Sequence, residues 1–230
     1  IVLDQAKRRV AEIQTQWCPH TPTPKQAEFL GLDSLEALYG GAAGGGKSDA
    51  LLMAALQYVH VPGYSGILFR RTYTDLSLPG AIMDRSHEWL RGKAAWSNQD
   101  KRWTFPSGAR LSFGYRETDA DKYRYQSAEF QFIGYDELTQ FSESQYTYLL
   151  SRLRRLAGVG LPLRARSASN PGGIGHDWVK ARFVEGGERR ADRCFVPAVL
   201  GDNPHLDQTA YRVSLAQLDA TTRAQLEAGL

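Results

Sequence analysis

Cysteine is scarce in this chain. Only Cys18 and Cys194 occur among 230 residues; they show no metal-ligand spacing and point to a reducing compartment. No apolar run is long enough to cross a membrane, and Ile1 opens no signal peptide, so no membrane partner is expected. A dominant charge sign is missing as well. Against 28 Lys and Arg stand 25 Asp and Glu, a net charge of +3, which neither demands nor excludes a nucleic-acid partner. Internal repeats and low-complexity segments are lacking. What is present is an ordinary globular composition, 42% hydrophobic and 23% charged. The length suits one large α/β domain, or one domain with a small appendage. Arginines are grouped at Arg70-Arg71, Arg152 with Arg154-Arg155, Arg164 with Arg166, and Arg189-Arg190 with Arg193. Such groups usually mark solvated faces.

Glycine, by contrast, is concentrated where it carries chemistry. Gly41-Ala42-Ala43-Gly44-Gly45-Gly46-Lys47-Ser48 fits the phosphate-loop pattern G-x-x-x-x-G-K-[ST] at every required position. A triphosphate needs several backbone N–H groups pointing inward at once, in conformations that side chains would block. Lys47 supplies a cation for the β- and γ-phosphates, and the Ser48 hydroxyl is a ligand for Mg²⁺. The flanks agree. Leu35 to Tyr39 reads as a short buried strand entering the loop, and Asp49 to Val59 as a helix leaving it. The helix N-terminus adds partial positive charge beneath the phosphates.

Along the rest of the chain, Asp4 to Trp17 reads as an amphipathic helix broken by Cys18 to Pro24, and Pro24 to Leu30 as a second short helix. Gly66 to Arg71 is a strand that turns basic at its C-terminal end. Leu76 to Arg91 has a helical pattern. Arg102 to Phe105 and Ala109 to Tyr115 form a hairpin around Pro106-Ser107-Gly108. Phe130 to Tyr135 is an apolar strand, Ser142 to Leu156 helical, and Leu163 to Ser169 a strand. A helical hairpin pattern follows Leu200. Alternating strands and helices predict an α/β fold with a mainly parallel sheet.

Three further elements bear on the loop. The strand ending at Tyr135 runs into Asp136-Glu137. In nucleotide hydrolases of this type the first acid holds Mg²⁺ through water and the second polarises the attacking water; alone, an adjacent Asp-Glu pair also reads as a helix cap. A Glu in that place belongs to motor-like ATPases, and no guanine-reading Asn-Lys-x-Asp loop occurs. The Gln26 amide, shortly before the first strand, offers the donor and acceptor that an adenine edge requires, or simply starts a helix. Ser169-Asn170-Pro171-Gly172-Gly173 follows a strand. Its short polar side chains can bond a γ-phosphate or its water, although Asn-Pro-Gly is also an ordinary turn.

Together these elements resemble the ATPase domain of the large terminase subunit of tailed bacteriophages. The resemblance is carried by Pro24 to Phe29, Tyr39 to Ser48, Arg70 to Tyr73, Tyr123 to Gln126, Ile133 to Phe141, Ser169 to Gly173 and His176 to Lys180. It implies a P-loop NTPase of the ASCE type over residues 1–198, with a mainly parallel sheet flanked by helices, and a small helical lid over 199–230. It implies ATP hydrolysis driving double-stranded viral DNA into a procapsid. Lys47, Asp136 and Glu137 would be catalytic, Gly41 to Ser48 with Gln26 would bind nucleotide, and Ser48 with Asp136 would hold Mg²⁺. Ser169 and Asn170 would couple hydrolysis to motion. Implied partners are DNA, the portal and procapsid, the small terminase subunit and further copies in a ring, with a monomer allowed in isolation. The place is the host cytoplasm, transiently docked on the procapsid. Unlike many relatives, the loop from Gly41 to Gly46 contains no Arg. An activating Arg would therefore come from elsewhere or from a neighbouring subunit, with Arg70, Arg102, Arg124 and Arg152 as candidates. The resemblance also implies a metal-dependent nuclease beyond these residues. Two other readings share parts of this pattern: a helicase-like or recombination DNA-dependent ATPase, and a non-hydrolysing nucleotide-binding assembly scaffold.

Overall fold

The computed structural model describes residues 16–157, 160–185 and 192–228; the helix expected from Asp4 lies almost wholly outside them. The expected short helix is present as α1 (Pro24–Leu30). Thr23 caps it, and the Gln26 side chain reaches back to the Thr23 N–H to complete a capping box. The chain then enters β1 (Glu36–Gly41), turns through the glycine-rich loop and continues as α2 (Lys47–Leu56). β2 (Ser65–Arg70) precedes α3 (Tyr73–Ser77) and α4 (Ile82–Leu90). The sequence suggested a single helix from Leu76 to Arg91. It is divided because Pro79 follows Leu78 and Gly80 takes φ +75°.

β3 (Ala95–Ser97), β4 (Arg102–Thr104) and β5 (Arg110–Tyr115) follow, then β6 (Phe132–Asp136), α5 (Glu143–Leu150), β7 (Arg164–Ser169) and α6 (His176–Phe183). The expected helix from Ser142 to Leu156 stops six residues early. Its tail peels away so that Leu153 forms a bridge with Phe130. β8 (Arg193–Ala198), α7 (Gln208–Leu215) and α8 (Ala220–Ala228) complete the described chain.

All the strands join one sheet in the order β3-β4-β5-β2-β6-β7-β1-β8. It is parallel from β5 to β8, and antiparallel only through β3 and β4. Side chains alternate between two cores. Tyr39, Leu68, Phe132 and Ala168 pack with α2 and α4 on one face. Leu38, Phe69, Ile133, Tyr135 and Ala165 pack on the other face with Tyr146 of α5 and Val179 and Phe183 of α6. Covering both faces excludes water, so polar strand residues need internal partners.

Arg164 and Arg166 show this requirement and correct their reading as a solvated cluster. They are 2% and 1% exposed. Arg164 donates to Gln57 Oε1 and Asp33 Oδ1, and Arg166 to the Leu32 and Ser34 carbonyls. Glu36, at the foot of β1, is equally buried. Its carboxylate accepts from Arg182 at 2.9 and 3.0 Å, from Arg193 at 3.2 Å and from Tyr146 at 2.8 Å. One carboxylate thereby joins β1, α5, α6 and β8.

Candidate nucleotide site

Parallel strands bring their C-terminal ends to one edge, where open α/β sheets place ligands. Here that edge gathers the turn after β1, the acids ending β6 and the polar turn after β7. The turn is possible because Gly41, Gly44 and Gly46 have φ of +126°, +75° and +71°. Gly41 is also crowded, since a Cβ there would lie 2.3 Å from the Ala198 carbonyl oxygen.

A polar cavity of about 250 Å³ opens over the loop, lined by Gly44 to Asp49, Gly80, Arg85, Glu137, Asn170 and Asn203. Ser48 Oγ donates to Asp136 Oδ1 at 2.8 Å. Lys47 Nζ turns onto the carbonyls of its own loop, Ala42 and, at 3.4 Å, Gly41. Arg70 Nη1 lies 3.5 Å from Asp136 and 3.9 Å from Glu137. Glu137 has φ +59°, uncommon outside glycine, and its carboxylate accepts from the backbone N–H and side-chain amide of Asn170, both at 3.3 Å. Such strain concentrates at functional sites.

Burial sets the charge balance. It lowers the Lys47 pKa to about 8, with Glu137 and Asp136 pulling it back up. It raises the pKa of Asp136 against Arg70, the Ser48 hydrogen bond and Lys47. Burial and the Asp136 charge raise the pKa of Glu137, opposed by Asn170, Arg70 and Lys47. Two buried carboxylates thus stand side by side with Arg70 and Lys47 as their nearby cations. A hydroxyl and a carboxylate are hard oxygen donors suited to Mg²⁺, which takes few protein ligands and completes its shell with water and phosphate. No group of three or more His, Cys, Asp or Glu able to hold a metal occurs among the described residues.

Other expected residues take different places. Gln26 is buried, with Oε1 accepting from the Thr23 N–H and Nε2 donating to the Gly46 carbonyl at 2.8 Å. It braces the glycine-rich loop, and an adenine edge would have to displace those bonds. Ser169 faces away from the cavity. It bonds Thr139 and lines a second cavity of about 380 Å³ between the sheet and α6. Asn170 lines both cavities. Among the candidate arginines, only Arg70 reaches the acids. Arg102 pairs with Asp100 in the hairpin, Arg124 pairs with Asp121 on the surface, and Arg152 lies at the opposite, N-terminal edge of the parallel strands, beside Phe130.

Sequence reasoning missed Arg85, Asp49, His20 and Asn203. Arg85 meets Asp49 at 2.6 Å, His20 approaches Asp49 at 3.3 Å, and Asn203 donates to the Gly44 carbonyl at 2.6 Å. The Ala43 N–H also donates to the Leu226 carbonyl of α8 at 2.7 Å. These contacts depend on folding, and no local spacing signals them.

The family described as "Terminase large subunit, T4likevirus-type, N-terminal" matches residues 38–160, more than half of the chain. The chain belongs to the terminase large subunit family. Comparison with curated proteins returned no match. Among solved structures, the HK97 bacteriophage large terminase superposes with a TM-score of 0.71 at 12% identity, covering 98% of this chain and 55% of that one. A large terminase from a thermophilic bacteriophage, in complex with ATP-gamma-S, gives 0.64 at 15%, covering 97% and 52%. The large terminase ATPase domain of a Thermus phage gives 0.64 at 16%, covering 97% and 96%. At these identities the likeness establishes the fold. The terminase chain described here spans about half the length of the first two of these large terminase chains.

Proposed function

We propose that this chain is the ATP-hydrolysing motor region of a terminase large subunit, driving double-stranded viral DNA into a procapsid. The observation that carries the reading is the single cavity combining Lys47, Ser48, Glu137 and Asn170, with Asp136 directly behind Ser48. Lys47 and the loop amides bind and orient the triphosphate. Ser48 and Asp136 would hold Mg²⁺, which supplies positive charge to the β- and γ-phosphates when bound. Glu137 orients a water and accepts its proton as the water oxygen bonds to the γ-phosphorus. The bond from that phosphorus to the β–γ bridging oxygen breaks, and ADP leaves with the electron pair. Asn170 holds the Glu137 carboxylate on the γ-phosphate side.

Residues 1–198 form the ATPase core on this reading, and 199–230 a lid whose Asn203 touches the loop. The partners are double-stranded DNA, the portal of a procapsid, a small terminase subunit and further copies in a ring, assembled in the host cytoplasm. Among the described residues no helix is long and apolar enough to cross a membrane. The test is phosphate release with and without long duplex DNA. Lys47→Ala abolishes turnover, while Glu137→Gln retains ATP binding and loses turnover. Wild-type turnover in Lys47→Ala, or no Mg²⁺-dependent hydrolysis in a portal-bound assembly of the full-length protein, would overturn the reading.

A further inference from the structure

We propose that Arg85 is a phosphate-contacting residue of this nucleotide site, supplied by the same subunit and handed to the nucleotide from Asp49. The inference rests on the nucleotide-site reading above and adds a residue to it. Arg85 lies in α4, yet it lines the same cavity as Lys47, Ser48 and Glu137. Its guanidinium is engaged at one corner only: Nη1 meets Asp49 at 2.6 Å, while the buried Nε has no partner among the described residues. A guanidinium offers five donors in a fixed fork suited to phosphate oxygens. Asp49 directly follows Ser48 and places a negative charge where a polyanion has to sit. Arg85 cancels that charge now, and a triphosphate is the stronger competitor for it. His20, 3.3 Å from the other Asp49 oxygen, remains as a partner for Asp49 when Arg85 moves.

Arg70, the other arginine near the acids, is held between Asp136 and Glu137, and the loop has no Arg of its own. The remaining charged groups around Arg85 do not provide a better resting place. Asp84, one residue before it, caps the Gly80 N–H at 2.8 Å, and Glu137 is held by Asn170.

A binding cycle with ATP-gamma-S tests this, using the full chain and four proteins: wild type, Arg85→Ala, Asp49→Asn and the double variant. Arg85→Ala weakens binding about tenfold, as expected for loss of a charged hydrogen bond. Asp49→Asn tightens binding, and Arg85→Ala still weakens it about tenfold in the Asp49→Asn background. A residue that merely holds Asp49 has no effect once Asp49 is neutral, and that outcome overturns the inference. Arg85→Gln, which keeps a donor toward Asp49 without the charge, shows the same loss and serves if Arg85→Ala fails to fold. Lys47→Ala is measured alongside. If it binds ATP-gamma-S normally, the nucleotide-site reading itself fails; if it loses binding while the Arg85 variants keep theirs in both backgrounds, only the role of Arg85 is lost.

Discussion

The Glu36 junction allows a stability change to be worked from the structure. The Glu36 side chain is 2% exposed and Arg182 is 13% exposed, so this pair is poorly screened, whereas Arg193 at 24% retains more solvent. Breaking a buried ion pair on one side costs about 3–5 kcal/mol because the remaining charge stays buried. Glu36→Gln keeps the shape and one acceptor, so the lower end, about 3 kcal/mol, applies. For a chain of this size each kcal/mol moves Tm by about 2–4 °C, giving a drop of roughly 6–12 °C. Arg182→Gln should lose less, because Arg193 and Tyr146 still reach Glu36, and the more exposed Arg193→Gln less again. The double variant of Glu36 and Arg182 should lose less than the sum, since both single changes remove the same ion pair. Differential scanning fluorimetry with a urea titration measures both. A fall below about 2 °C for Glu36→Gln, against the size scaling just used, or strict additivity with Arg182→Gln, would refute the reasoning.

Three other outcomes are expected. Gly44→Ala should destabilise the loop by about 1–2 kcal/mol, because φ is +75° and the new Cβ would lie 2.5 Å from Leu206 Cδ2; retained nucleotide affinity and unchanged urea stability would contradict this. The Asp49 hydrogen bond raises the His20 pKa above 6.5 against the opposing effect of burial. Its contribution to stability is therefore full below 6.5 and lost as pH rises through the raised folded value. The stability gap between wild type and His20→Gln should shrink over that window, and a gap independent of pH would remove the pair from the balance. Duplex DNA binding should weaken steeply with salt, and Arg154→Ala with Arg155→Ala should reduce the slope of log affinity against log salt by about 1–2; an unchanged slope excludes this cluster from the DNA path.

The glycine-rich turn was legible because its residues are consecutive, and the strand and helix expected on its flanks are present as β1 and α2. The apolar run into Asp136-Glu137 was legible for the same reason. β8 was not. Its short run carries Pro197 and was not among the expected strands, and it exists as an edge strand because β1 offers a parallel ladder on that side. β3 is three residues long and depends on β4. The alternation in Arg164 to Ser169 signalled a strand, but alternation assumes a wet face, and both faces here are covered. Arg85 was invisible for a deeper reason. Its link to Asp49 spans 36 residues and two other elements, and nothing in its own helix distinguishes it from a surface arginine.

Two hydrogen bonds join the loop to the segment after β8. They are the Ala43 N–H on the Leu226 carbonyl of α8 and the Asn203 amide on the Gly44 carbonyl. Each such bond contributes about 0.5–1.5 kcal/mol net. The strand carrying the loop is sewn into the sheet on both sides, by β7 and by β8. A displacement of α8 therefore reaches the loop through single hydrogen bonds, while β1 itself is held by a ladder on each side.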